Sequence, residues 1–252
     1  MRRALLLCWL ALLSGCAVYG PPAERAPERE PRAAWARVLQ TRVDEQGRVD
    51  FVGIARHPAD LERYVAWIYA VSPATQPRLF PTPSEVLAYH LNAYNALAMY
   101  AVIQSGIPQT NAGWGKLRFF FLRRVKVGGQ TMNLRTYENE VIRPLGDPRV
   151  HFALNCMSVS CPRLPREPFD PARLDSQLDR GARLFFSEPR NLRLDAATRT
   201  AYVSEILDFY AQDFLAKAPS LLAYANHYLE TAVADHYAVR FTPYDWTINR
   251  QP

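Results

Sequence analysis

Apolar positions divide the chain into three stretches. They run unbroken from Ala4 to Leu13, lie scattered among Pro21, Pro22, Pro27 and Pro31, and recur at helical or alternating spacing from Ala34 onward. In the third stretch Trp35, Val38, Leu39 and Arg42 predict a helix over 34–42. Gly47 marks a turn before a short alternation, Val49 and Phe51. Pro58 opens a second helix with Leu61, Val65 and Ile68 on one face. Thr82-Pro83-Ser84-Glu85 joins a capping box to a proline at the first helical position. The run 86–103 that follows is apolar all round, which predicts a central buried helix, stopped by Gly106 and Pro108.

Beyond a dense aromatic run at 117–122, Val125–Val127 and Gln130–Met132 flank Gly128-Gly129 and read as a hairpin. Asn133 caps a predicted helix over 134–143, and 150–155 has the pattern of a short strand. Asp170-Pro171 starts a helix reaching about residue 186. A second hairpin pairs 192–194 with 201–203. Helices over 204–215 and 220–234 then precede an extended segment, 239–248. With no internal repeat and no second linker, 34–252 reads as one α+β domain, mainly helical with short antiparallel hairpins.

The first two stretches concern destination. Arg2 and Arg3 precede the apolar run, and Ser14-Gly15 follow it, the layout of a secretory signal too short to span a bilayer as a helix. The ending Leu13-Ser14-Gly15-Cys16 resembles a bacterial lipobox, whose cysteine is lipidated after cleavage; an ordinary signal with an incidental cysteine is the alternative. The expectation is a signal peptide at 1–15 and a lipid anchor at Cys16. The Pro-rich tether at 16–33 would reach up to roughly 50 Å at about 3.1 Å per residue. Ala17 follows the cysteine where Asp would favour the inner membrane, so an outer-membrane lipoprotein facing the periplasm is expected.

Composition adds exclusions. Apolar residues make up 49 % and charged residues 21 %, which rules out a disordered chain. The net charge is +6, or +4 without Arg2 and Arg3, too weak a field to argue for nucleic acid. There is no Gly-x-Ser-x-Gly, no His-Glu-x-x-His and no dinucleotide-binding glycine pattern, so common hydrolase and cofactor classes lack support. No cofactor and no metal is expected.

The candidate chemistry sits in His151-Phe-Ala-Leu-Asn155-Cys156-Met-Ser-Val-Ser160-Cys161-Pro162. Three readings are open. In an oxidising compartment Cys156 and Cys161 form a disulfide that staples the loop. Alternatively Cys156 is a nucleophile, with His151 as base or orienter, Glu138 as its carboxylate partner and N–H groups of 157–160 as an oxyanion site. As a strand, 150–155 would turn His151 away from Cys156, leaving His227 and His236 as later histidines that read better as surface residues. The third reading is zinc on His151, Cys156 and Cys161, at a spacing that matches no standard pattern. Glu138 is also placed to ion-pair with Arg143 or Arg149. The candidate substrate-binding residues are Asn92, Asn95, Asn155, Ser160 and Arg143; for the two buried asparagines, capping neighbouring backbone is the alternative. Trp114 and Phe119–Phe121 either line a groove or fill a core, and Tyr244-Asp245-Trp246 is expected to dock the last segment.

That string occurs with Tyr89-His-Leu-Asn92-Ala-Tyr94-Asn95, the Val127-Gly-Gly hairpin, Asp147-Pro-Arg-Val-His151 and Tyr244-Asp-Trp-Thr-Ile-Asn249. Together they resemble the domain of unknown function 547 family over roughly residues 80–250. Family members often carry Ile-Glu-His where this chain has Tyr137-Glu138-Asn139, so a histidine at that position is absent here. The resemblance implies no activity. Two functions remain: a thiol-dependent hydrolase or acyl transferase of the cell envelope, and a non-catalytic periplasmic module with a Cys156–Cys161 disulfide that binds a peptide or glycan.

Overall fold

A computed structural model describes residues 26–234 and 236–252. The signal peptide, Cys16 and most of the tether lie outside the described residues. The chain begins with α1 (Arg32–Arg42), α2 (Phe51–Arg56) and α3 (Ala59–Ala70), which surround α4 (Pro83–Gln104). The capping box forms as its sequence requires: Glu85 N–H donates to Thr82 Oγ1 at 3.2 Å, and Thr82 N–H donates to the Glu85 carboxylate at 2.8 Å. From Leu87 to Val102 every residue of α4 is buried, so this helix forms the axis of the first core.

Then follow α5 (Trp114–Leu117), which runs on into a π-helical turn at Arg118–Leu122, and the hairpin β1 (Val125–Val127) with β2 (Gln130–Met132). Gly128 and Gly129 turn it with φ of 54° and 82°. Their N–H groups donate to the Ile68 and Tyr69 carbonyls, which fixes the turn on the end of α3. Helix α6 (Leu134–Thr136) continues as a wider π-helical turn, Tyr137–Ile142.

The second core is built from α7 (Leu174–Ser187), a sheet and three short helices: α8 (Ile206–Phe209), α9 (Ala211–Leu215) and α10 (Leu221–Asn226). In the sheet β3 (Leu192–Asp195) pairs antiparallel with β4 (Thr200–Ser204), as the sequence pattern predicts. Strand β5 (Ala238–Thr242) then lies parallel to β4, a pairing that local pattern did not reveal. Phe152 belongs to this second core, while Ala153 and Leu154 belong to the first. The chain therefore crosses between the cores just before Cys156. Among the described residues no helix is long and apolar enough to cross a membrane.

Four local expectations are corrected. Phe51 starts a helix, and Val49 is the residue in extended pairing, bridging both Val43 and Arg250. Residues 150–155 are not a strand: Pro148–Phe152 is a 3-10 helix whose first turn is capped by the Asp147 carboxylate on Arg149 N–H. The predicted helix over 204–215 breaks into α8 and α9. The helix over 220–234 ends at Asn226, whose side chain clamps both backbone groups of Val233.

Candidate functional site

A cleft of about 290 Å3 opens between the two cores, lined from the first by Tyr94 and Leu154 and from the second by Ile206. Tyr210, Cys156 and Cys161 also line it, with Tyr244 and Trp246 from the closing segment. Lys116, Phe120, Phe121 and Arg135 line it too, and so do the predicted site residues Glu138, Arg143 and His151.

The cysteine loop is held open by asparagines. Asn155 donates to the Pro162 carbonyl at 2.7 Å and accepts from Met157 N–H at 2.7 Å, so one side chain braces both ends of the loop. Asn95 accepts from Asn155 N–H at 2.8 Å and donates to the Ala153 carbonyl at 3.0 Å. Met157 takes a left-handed φ of 66°, at a cost of about 1 kcal/mol for a residue with a Cβ, and its fully buried side chain anchors that turn. Asn92 pins the Phe169 backbone through its N–H and its carbonyl, both at 2.9 Å, and accepts from the Trp35 indole. These three asparagines build the support behind the cleft and do not line it. Ser160 likewise faces the closing segment, accepting from Asp245 N–H at 2.8 Å.

The two thiols meet at the cleft. Their sulfurs lie 3.0 Å apart as free cysteines, against about 2.05 Å for a bonded pair, so the expected staple is not formed. Cys156 N–H donates to Cys161 Sγ at 3.1 Å. Tyr244 Oη reaches both sulfurs, at 3.4 Å from Cys156 and 3.0 Å from Cys161, and Ser158 Oγ lies 3.6 Å from Cys156. Hydrogen bonding from Cys161, helped by Tyr244 and Ser158, holds the Cys156 thiol below its ordinary value. Burial and the neighbouring Cys156 charge push Cys161 well up. The pair is therefore asymmetric, with Cys156 the more readily ionised thiol and Cys161 the one that holds its proton more tightly.

Glu138 does not serve His151. The π-helical turn carries it inward, where its carboxylate accepts from Tyr94 Oη at 3.0 Å and from Tyr210 Oη. Neither Arg143 nor Arg149 pairs with it: Arg143 grips Asp213 with two bonds of 2.8 Å, and Arg149 binds Asp147, Asp175 and Asp179. His151 Nε2 lies 2.8 Å from Asp213 Oδ2, and its ring stacks on Tyr210 at 3.8 Å. A carboxylate only accepts, so Nε2 carries the proton, while Nδ1 is buried without a hydrogen-bond partner. Arg143, with His151, holds the Asp213 carboxyl well below the usual carboxylate range. His151 and Cys156 line the same cleft, because the 3-10 helix rotates His151 out of the alternation expected of a strand.

Three of the four N–H groups expected to form an oxyanion site are spent inside the protein. Met157 donates to Asn155, Val159 to the Thr247 carbonyl and Ser160 to the Asp245 carbonyl. Among the described residues no three His, Cys, Asp or Glu side chains converge as a metal site, so His151, Cys156 and Cys161 do not form the zinc arrangement considered above. His227 and His236 are exposed. Sequence reasoning missed Asp213, Tyr210 and the contact of Tyr244 with the thiols. Tyr94 stood inside a quoted motif, whereas nothing local distinguishes Asp213 from any carboxylate on a short helix.

Residues 80–186 match the family model described as Protein of unknown function, DUF547, which spans the central helix, the π-helical turn and both cysteines. Neither the curated proteins nor the solved structures contain a match to this chain.

Proposed function

We propose that this DUF547-type domain is a thiol-dependent enzyme whose reaction is dithiol–disulfide exchange, with Cys156 as the attacking sulfur and Cys161 as the resolving one. The observation that carries the reading is the 3.0 Å approach of two unequal thiols on an open cleft, the lower-pKa sulfur being the one partly exposed. Cys156 thiolate attacks one sulfur of an external disulfide, whose S–S bond breaks; one half leaves as a thiolate and takes a proton from solvent. The other half stays on Cys156 as a mixed disulfide. Cys161 then gives its proton to solvent and attacks Cys156 Sγ, releasing the second half as a thiolate. The protein pair ends oxidised, the substrate disulfide reduced by two electrons, and a dithiol reductant reverses the change in the protein.

Hydrolysis or acyl transfer at the same Cys156 is the second reading. The His151–Asp213 pair on the same cleft favours it, and the three consumed N–H groups of the loop weigh against it. The layout of residues 1–16 supports a lipid-anchored envelope location, and the tether supports action near a membrane surface.

The test uses 5,5′-dithiobis(2-nitrobenzoate) on a chain with Cys8 and Cys16 changed to serine. The expected result is two nitrothiobenzoate ions released per protein and a Cys156–Cys161 disulfide by peptide mass spectrometry. Cys161→Ser should release one and retain the other half on Cys156. Equal rates in Cys156→Ser and the parent would sink the proposal. A pair already disulfide-bonded in native protein and resistant to dithiol reductant would favour the non-catalytic module.

A further inference from the structure

The cleft is flanked by a surface that the proposed chemistry does not use. Between Glu85 and Glu138 the chain has no acidic residue, yet it carries Lys116, Arg118, Arg123, Arg124, Lys126 and Arg135. Helix α5 and the π-helical turn after it set Trp114, Leu117, Arg118 and Phe121 at spacings of three and four residues. Helices normally bury such a stripe. Here Trp114 is 84 % exposed, Leu117 38 % and Phe121 40 %, while Phe119 faces the core. Lys116, Arg118, Arg124 and Arg135 form no ion pair among the described residues.

We infer that the face formed by α5, Arg118–Leu122 and Arg124 docks on an anionic phospholipid surface. Two properties select that occupant. Lys116 lies over the Trp246 ring, Arg135 over Phe121, and Arg124 donates to the Thr131 carbonyl, but none of these contacts neutralises charge. These cations and Arg118 therefore complement a negative surface and draw energy from its potential. The apolar side chains between them are an indole, a leucine and a phenylalanine, which suit the boundary between headgroups and acyl chains. A nucleic-acid duplex would use the cations, but its stacked bases would leave Leu117 uncovered and give Trp114 no unpaired base to stack on. A second copy of the chain would bring the same positive charge to the contact. The inference is independent of any anchor at Cys16 and of the thiol chemistry. Phe121 belongs both to this face and to the cleft wall, so docking would set the cleft mouth beside the bilayer.

Trp114 supplies the readout. The full chain is titrated with vesicles of phosphatidylglycerol and phosphatidylcholine in equal parts, with brominated acyl chains that quench indoles at the level of the chains. Emission should fall in the parent, and the part of the fall due to Trp114 should vanish in Trp114→Phe. The double change Arg118→Glu, Arg124→Glu should raise the lipid concentration for half-maximal quenching about tenfold or more. Vesicles of phosphatidylcholine alone should quench Trp114 little. Quenching reports the depth of this side chain, so the result reads the same with or without a lipid anchor. The inference is overturned if the parent and Trp114→Phe are quenched alike, or if phosphatidylcholine works as well as the anionic mixture. It is also overturned if Trp114 proves shielded in solution by self-association or by nucleic acid. Disulfide exchange by the Arg118→Glu, Arg124→Glu chain should be unchanged, which separates this outcome from failure of the thiol proposal.

Discussion

The Nε2 of His151 lies 2.8 Å from Oδ2 of Asp213, a residue 62 positions further along the chain. The histidine is thereby oriented by a carboxylate of the second core, although it stands at the end of a motif of the first. Glu138, the carboxylate nearer in sequence, is instead satisfied by two tyrosines.

Removing the Asp213 charge should weaken the protein in a pH-dependent way. Its carboxyl is held below the usual range in the fold, so its contribution is full above the unfolded value of about 4 and is lost as pH falls toward the folded value. Asp213→Asn should cost about 1.5–3 kcal/mol at neutral pH, the worth of hydrogen bonds to charged groups, and less in acid. Chemical denaturation at several pH values would show the gap between parent and variant closing as pH falls.

The reactivity of Cys156 should move in opposite directions with two substitutions. Tyr244→Phe removes a donor to the thiolate, so the pH profile of iodoacetamide alkylation should shift upward. Glu138→Gln removes a nearby negative charge that disfavours the thiolate, so the profile should shift downward. Alkylation at Cys156 followed by peptide mass spectrometry decides both, and shifts of the same sign would contradict the electrostatic account.

Cys161→Ala should raise the Cys156 profile further than Tyr244→Phe does, because hydrogen bonding from Cys161 is the largest effect holding that thiol down. The same variant should still form a mixed disulfide with an added disulfide, but should not release it.

Asn95→Ala leaves a buried Asn155 N–H and the Ala153 carbonyl without their partner. A loss of about 1–3 kcal/mol is expected. Thermal unfolding should show it, together with slower Cys156 alkylation in the folded protein as the loop loses its support.

At Gly128 an added Cβ would stand 2.1 Å from Ser72 Oγ, and φ there is 54°. Gly128→Ala should therefore unfold the protein several degrees earlier. Gly129 meets nothing within 4 Å, so Gly129→Ala should cost only the strain of its positive φ, about 1 kcal/mol. A calorimetric comparison of the two variants separates contact from backbone conformation.

What could be read from the sequence was what local chemistry decides. Thr82 and Glu85 cap a helix because they stand three apart, and Gly128-Gly129 turns a hairpin because both positions need positive φ. The buried asparagines announced an unmet need for partners, and their backbone partners were found. What could not be read depends on residues far apart. The pattern of 150–155 fits a strand as well as a 3-10 helix, and the choice went to the turn begun by Asp147-Pro148. The continuation of α10 fails because Asn226 finds Val233, and β5 pairs with β4 across the intervening α8 to α10, a contact no local pattern encodes. Tyr244 and Asp213 complete the cleft from positions to which no motif near the cysteines points.

The contact of Tyr244 with both sulfurs also fixes an order of events during synthesis. The chain emerges from its amino-terminal end, so Cys156 and Cys161 are made well before the residue that covers them. The segment from Tyr244 to Gln251 then threads past Ser160, Val159 and Met157 and on to Val49. Until that last strap is laid down, the nascent protein carries two uncovered thiols, exposed to whatever oxidant or foldase awaits it. Cys156 and Cys161 would thus be most open to oxidation in the interval before Tyr244 folds over them.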